Sequence, residues 1–196
     1  MSNDSEKTLK EIHDYWKSHS SPDYYMDKID RSEFLINYIN KYIEQNGKIL
    51  EIGCNVGRNL NYLYKNNFNN LTGIEISEEA IRSLKKTYPL LAKNTNIIHS
   101  PVEDIIKELP TKHFELVFTM AVLEHIHPES EWVFEDIARI TGGYLITIEA
   151  EKAKNWRIFP REYKEIFERF GLKQLEETRC DSIADLRAYT LRVFKK

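Results

Sequence analysis

From Lys48 onward, short runs rich in branched and aromatic residues alternate with helical spacings. Residues 48–52, 71–76, 96–100, 114–119 and 144–150 read as strands. Between them, residues 59–65, 78–88, 102–108, 130–140 and 161–170 repeat their apolar positions at helical intervals, with Ser77 placed as an N-cap. This alternation predicts right-handed crossovers and a doubly wound α/β fold: a mostly parallel sheet with helices on both faces. Residues 172–179 and 188–194 have no long helix between them. They predict an antiparallel pair that brings the sheet to seven strands.

The first quarter is patterned differently. Leu9, Ile12 and Trp16 share one face of a helix over residues 6–19, and the polar stretch 18–23 with Pro22 predicts its end. A second helix follows, with Asp30 and Glu33 at capping-box spacing, a stripe of Phe34, Leu35, Tyr38, Ile39, Tyr42 and Ile43, and Gly47 as its stop. No repeat or linker divides the chain. At 196 residues it reads as a single domain, with N-terminal helices over 1–47, a ligand-binding core over 48–150, and a loop, helix and strand pair over 151–196.

Composition narrows the function classes. Hydrophobic residues at 41% and charged residues at 30% are those of a chain that folds. Twenty-eight basic against 31 acidic residues give a net charge of −3, which disfavours nucleic acid and anionic membrane as partners. The start lacks the apolar stretch of a signal peptide and no run approaches the length that spans a bilayer, so a cytoplasmic location is expected. Cys54 and Cys180 are far apart, and no spacing suggests a metal site.

The chemistry concentrates at Ile49-Leu50-Glu51-Ile52-Gly53-Cys54-Asn55-Val56-Gly57-Arg58-Asn59, a strand that enters a glycine turn and then a helix. Ligands of doubly wound sheets bind at the carboxyl ends of strands, near the point where strand order reverses. A dinucleotide fingerprint would put a third glycine at position 58, where this chain has arginine. The Glu-x-Gly-x-x-x-Gly pattern instead leaves room for a ligand whose amine meets Glu51. Asn55 stands where a middle glycine is common, and asparagine is the residue that best tolerates positive φ in its place.

This stretch, together with Leu71-Thr72-Gly73-Ile74-Glu75-Ile76-Ser77, Ser100-Pro101-Val102-Glu103-Asp104 and Phe114 to His125, resembles the class I S-adenosylmethionine-dependent methyltransferases over nearly the whole chain from Lys48. The resemblance implies a Rossmann-like fold, S-adenosylmethionine as cofactor and a small-molecule acceptor. It implies that Glu51, Gly53, Asn55 and Gly57 wrap the methionine part. Glu75 would take the ribose hydroxyls, Ile76 one adenine face and Val102 with Glu103 the adenine edge, while Met120 would touch the cofactor. Gly57 would be required where backbone and cofactor approach.

For the acceptor side, Trp16, Tyr24, Tyr25 and Met26 lie where family members fold a lid, with Tyr24 and Tyr25 as acceptor contacts. Arg157 and Arg161, on the charged connection after the fifth strand, suit an anionic acceptor. His125 is the candidate base for an acceptor that carries a proton, and His127 a capping residue. The leading reading is methyl transfer to an oxygen or nitrogen of a small, anionic or sugar-linked metabolite. Aminopropyl transfer on the same superfold and cofactor binding without turnover remain alternatives, and the oligomeric state is left open.

Overall fold

Strands β1 (Ile49–Ile52), β2 (Leu71–Glu75), β3 (Asn96–His99), β4 (Phe114–Met120), β5 (Thr141–Glu149), β6 (Lys173–Arg179) and β7 (Thr190–Lys195) form one seven-stranded sheet in the order β3-β2-β1-β4-β5-β7-β6. The computed structural model describes residues 7–196. β1 pairs in parallel with both β2 and β4, β2 with β3 and β4 with β5, while β7 lies antiparallel to β5 and β6. The chain therefore winds outward through β1, β2 and β3 and returns to the other side of β1 as β4. That reversal opens a crevice at the carboxyl ends of β1 and β4.

The strands end within three residues of their predicted limits because a buried parallel strand needs a dense apolar run on both faces. On one face Ile49, Leu116, Phe118 and Ile146 pack beneath α3 (Ile29–Tyr42), α4 (Arg58–Lys65) and α5 (Glu78–Thr87). On the other, Leu50, Ile52, Val117 and Leu145 meet α7 (Val102–Ile105), α8 (Val133–Ile140) and α9 (Tyr163–Arg169). Glu51 alternates with Leu50 and Ile52 and thus points toward α3 and α4, a carboxylate in a core position.

The N-terminal helices depart from the expectations in instructive ways. α1 (Leu9–Ser18) opens with a complete capping box between Thr8 and Glu11; the predicted start at Glu6 lies outside the described residues. The Asp30/Glu33 capping box does not form, because α3 already begins at Ile29 with Lys28 as an N-cap that makes no side-chain cap bond. Pro22 starts a short helix, α2 (Pro22–Met26), and Pro89 likewise starts α6 (Pro89–Asn94). Proline at the first helical position lacks only an N–H that would be unpaired anyway. Ser77 caps α5 as expected, its hydroxyl accepting from the Ala80 N–H at 3.3 Å.

Candidate functional site

The turn after β1 is tied to β2 by its backbone. The Gly53 and Cys54 N–H groups both donate to the Ile74 carbonyl, and Gly53, Asn55 and Gly57 all have positive φ, at 72°, 47° and 72°. Asn55 holds its conformation with its own side chain, whose oxygen accepts from the Val56 N–H at 2.7 Å. Its amide also reaches out, donating to the Ser20 carbonyl at 2.8 Å and fastening the N-terminal segment to the turn. Gly57 caps α4, but a Cβ there would stand 2.5 Å from Leu84 Cδ1. Close packing against α5 requires the glycine here, and Gly57 stands behind the cavity lining, not in it.

Glu75, at the carboxyl end of β2, is 5% exposed and accepts the backbone N–H groups of Asn55 and Ser77, each at 2.7 Å. Burial pushes its carboxyl upward against the pull of those two donors. It was expected to be free for a ligand; it also splices the β1 turn to the start of α5. Glu51 is 2% exposed. Asn59 Nδ2 donates to one oxygen at 2.7 Å, and Arg58, which bonds Ser32, the Tyr25 carbonyl and Asn59, borders the same network. The other oxygen of Glu51 has no partner, and burial raises the carboxyl to about 8.

These residues wall a cavity at the carboxyl ends of β1, β2 and β4, and Ile76, Val102, Glu103, Met120 and His125 line it with them. The N-terminal segment supplies the opposite wall through Ile12, His13, Trp16, Ser20, Tyr25 and Arg31. His13 Nε2–H donates to Glu103 at 3.1 Å, so that carboxylate is already engaged by α1. Four polar atoms on these walls are buried without a partner: Glu51 Oε2, Arg31 Nε, Ser20 Oγ and Trp16 Nε1. Native interiors pair such groups almost without exception, so these four atoms are open to a polar partner.

Farther along the cavity, His125 donates from Nδ1 to the Arg157 carbonyl at 2.8 Å, which leaves Nε2 as its lone-pair nitrogen. Burial lowers its basicity to about 4. Trp16 lies against its ring, with centroids 4.3 Å apart. Behind it Glu124, 1% exposed, accepts from the Ala150 N–H and the Tyr189 hydroxyl, and Glu149 accepts from Thr119 and the Val122 N–H. Burial raises both carboxyls, and the neighbouring Glu124 charge adds to the rise at Glu149.

Three expected acceptor contacts stand elsewhere. Tyr24 is 52% exposed, turned edge-on to Tyr25 with the Lys28 ammonium over its ring, and only Tyr25 reaches the cavity. Arg161 is buried in a clamp: it donates to the Leu123 and Ile126 carbonyls and pairs with Glu131 at 3.1 Å. The Arg157 guanidinium sits among aromatic rings. Neither arginine offers the anion grip the sequence suggested, because each charge is already spoken for by the chain. His127 accepts the Glu129 N–H as an N-cap and donates to the Lys7 carbonyl.

Arg31, Ser20 and Glu149 escaped the sequence reading. Arg31 had a signal, a lone basic residue on the apolar side of α3, where Leu35 and Ile39 mark the buried stripe. Among the described residues no group of three or more His, Cys, Asp or Glu is arranged to hold a metal, and no helix is long and apolar enough to cross a membrane.

A methyltransferase-domain family matches residues 50–147, from β1 into β5. No curated protein sequence matches the chain. Among solved structures, the 1,6-didemethyltoxoflavin-N1-methyltransferase of Burkholderia thailandensis, with bound 1,6-didemethyltoxoflavin and S-adenosylhomocysteine, superposes with a TM-score of 0.70 at 12% identity, covering 95% of this chain and 86% of its own. An S-adenosylmethionine-dependent methyltransferase from Archaeoglobus fulgidus gives 0.65 at 18% identity, covering 87% and 95%. Another from Mesorhizobium loti gives 0.68 at 10%, covering 86% and 100%. With a family match across half its length and this sheet order, the chain belongs to the class I S-adenosylmethionine-dependent methyltransferases.

Proposed function

We propose that this enzyme moves the methyl group of S-adenosylmethionine to a nitrogen or oxygen of a small acceptor bound between His125 and the N-terminal helices. One observation carries the placement of the cofactor: Glu51 Oε2 and Arg31 Nε, a carboxyl oxygen and a guanidinium nitrogen, are both buried and without a partner among the described residues on the walls of one cavity. An amino acid's ammonium and carboxylate complement that pair. Glu75 has lone pairs left beyond its two N–H bonds for a ribose diol, and Ile76 and Val102 offer apolar faces to a purine. When bound, the cofactor supplies a methyl group on a sulfonium, with a neutral leaving group.

The chain's own part is positioning and exclusion of water. Trp16, Tyr25 and Ile12 cover the site, and the Asn55 bond to Ser20 and the His13 bond to Glu103 hold that cover down. His125, fixed by the Arg157 carbonyl, presents Nε2 to an acceptor that must lose a proton, and its low basicity keeps it unprotonated at neutral pH.

Calorimetric titration with S-adenosylhomocysteine tests the reading. Glu51→Gln and Arg31→Gln should each weaken binding by about tenfold or more, the loss of one hydrogen bond to a charged group. Unchanged affinity in both would overturn the placement. Label transfer from the donor to a pool of small acceptors, and not to nucleic acid, is the expected activity.

A further inference from the structure

Arg157 fills a box of three aromatic rings. Its guanidinium carbon lies 5.2 Å from the Tyr15 ring centroid, 5.6 Å from that of Trp16 and 5.7 Å from that of Trp156. Tyr15 stands at 82° to Trp16 and 88° to Trp156, so the rings form perpendicular walls. Two walls come from α1 and the third from the connection after β5. Among the described residues the guanidinium is held by these π faces and by the Tyr15 hydroxyl, to which it donates, and by no carboxylate. The box adjoins His125 and the cavity wall, since the Trp16 ring that forms one side of it also packs on His125 and lines the cavity.

Aromatic faces attract any cation of suitable size, and a site that a cation from its own chain occupies is built for positive charge. The surroundings agree. Glu124 Oε1 lies 3.6 Å from His125 Nε2, and the Arg157 cation offsets the burial of that carboxylate. Whatever takes the place of the guanidinium must carry positive charge to leave Glu124 balanced. An anion would lose the π attraction and meet a buried carboxylate.

We propose that the methyl acceptor is an alkylamine, which displaces the Arg157 side chain and seats its nitrogen in the box of Tyr15, Trp16 and Trp156. The proposal rests on the methyl-transfer reading and names its substrate class. Burial holds His125 at about 4, too weakly basic to take a proton from an ammonium, so the amine, which enters as its ammonium, loses one proton to solvent. Its nitrogen lone pair then forms the N–CH3 bond as the C–S bond breaks, and the bonding pair stays on sulfur, which leaves as a neutral thioether. The charge that began on sulfur ends on nitrogen, inside the box. Ring faces already oriented toward that point stabilise the charge as it arrives, which favours the transition state over the neutral amine.

The test is calorimetric and needs no turnover. Choline and its neutral isostere 3,3-dimethylbutan-1-ol are titrated into the full chain with S-adenosylhomocysteine present. Four proteins are compared: wild type, Arg157→Ala, Arg157→Gln and Arg157→Ala with Trp156→Ala. Emptying the box should tighten choline binding by about tenfold in both single variants, with choline preferred over the isostere by a similar factor, and removing the Trp156 wall should abolish the gain. No gain in either single variant, or equal binding of choline and isostere, overturns the proposal. Titration of S-adenosylhomocysteine alone separates the failures. Retained binding in all four proteins confines a negative result to the amine, whereas no binding even in the wild type would bring down the methyl-transfer reading beneath it.

Discussion

Glu75 lines the cavity and Arg157 stands just outside it, behind His125, and the chain holds the two by opposite means. Glu75 sits at a strand end and takes two backbone N–H groups, so its position follows from the register of β2 against β1. Arg157 leaves a nine-residue strand on a long connection and is held by side chains from a helix far away in sequence. Backbone bonds cannot be exchanged for a ligand without breaking the fold, whereas ring faces and a hydroxyl can. On the proposed reading the cofactor end is thus fixed and the acceptor end replaceable, the division expected of a fold that keeps one donor and varies its acceptors.

The sharpest way to break the fixed end is Gly57→Val. A β-branched residue at a φ of 72° with its Cβ 2.5 Å from Leu84 Cδ1 combines left-handed strain with overpacking, for a loss of roughly 2–5 kcal/mol. Thermal unfolding should show the loss without any ligand. A variant of wild-type stability would mean that α4 and α5 are not packed as described.

How legible each end was in the sequence follows from the same division. The strands, the positive-φ tolerance of Asn55 and the acids at 51 and 75 were readable because they depend on neighbours a few residues away. Pro22 was read as a break although it begins a helix, since proline at the first turn and proline after the last look alike without the next turn's packing. The acceptor end was misread for a different reason. Arg157 meets Tyr15 across 142 positions, Arg161 meets Leu123 across 38, and Asn55 meets Ser20 across 35. Contacts at such separations leave no local spacing, so two arginines four residues apart looked like one anion grip when they serve two unrelated clamps.

Arg161→Ala sharpens that point. Its loss strands the Leu123 and Ile126 carbonyls and should cost roughly 2–3 kcal/mol, discounted because Glu131 turns freely to water. Chemical denaturation would measure it. S-adenosylhomocysteine affinity at saturating folded protein should stay within about twofold, since Arg161 is outside the cavity; a selective loss of ligand affinity would instead place Arg161 against the cofactor.

Next in size is a proton. Glu51 titrates at about 8 in the fold against an ordinary 4.5, so the folded state holds its proton more tightly than the unfolded chain does. Its contribution to stability is complete below pH 4.5, falls as pH rises toward 8 and is gone above that, with a slope of at most about 1.4 kcal/mol per pH unit. Glu51→Gln should flatten that part of the profile in denaturant titrations between pH 5 and 8. The proposed ammonium contact predicts a second signal: binding of S-adenosylhomocysteine at pH 7 should release up to one proton, seen as a dependence of the calorimetric enthalpy on the buffer's ionisation heat. Proton uptake, or none, would place the ammonium elsewhere.

The smallest effect separates two adjacent tyrosines. Tyr24 is half exposed and meets the Tyr25 ring and the Lys28 ammonium, contacts with an ordinary surface value well under about 1 kcal/mol. Tyr25 lines the cavity, and its carbonyl takes a guanidinium N–H of Arg58 at 2.9 Å, which fixes its ring over the site. Tyr24→Ala should therefore leave both unfolding and S-adenosylhomocysteine affinity within about twofold of wild type. Tyr25→Ala removes part of the cover and should weaken the ligand about tenfold while stability changes little, because the backbone bond to Arg58 survives the substitution. Equal losses at the two positions would mean that the α2 helix turns its other face to the cavity when a ligand is bound.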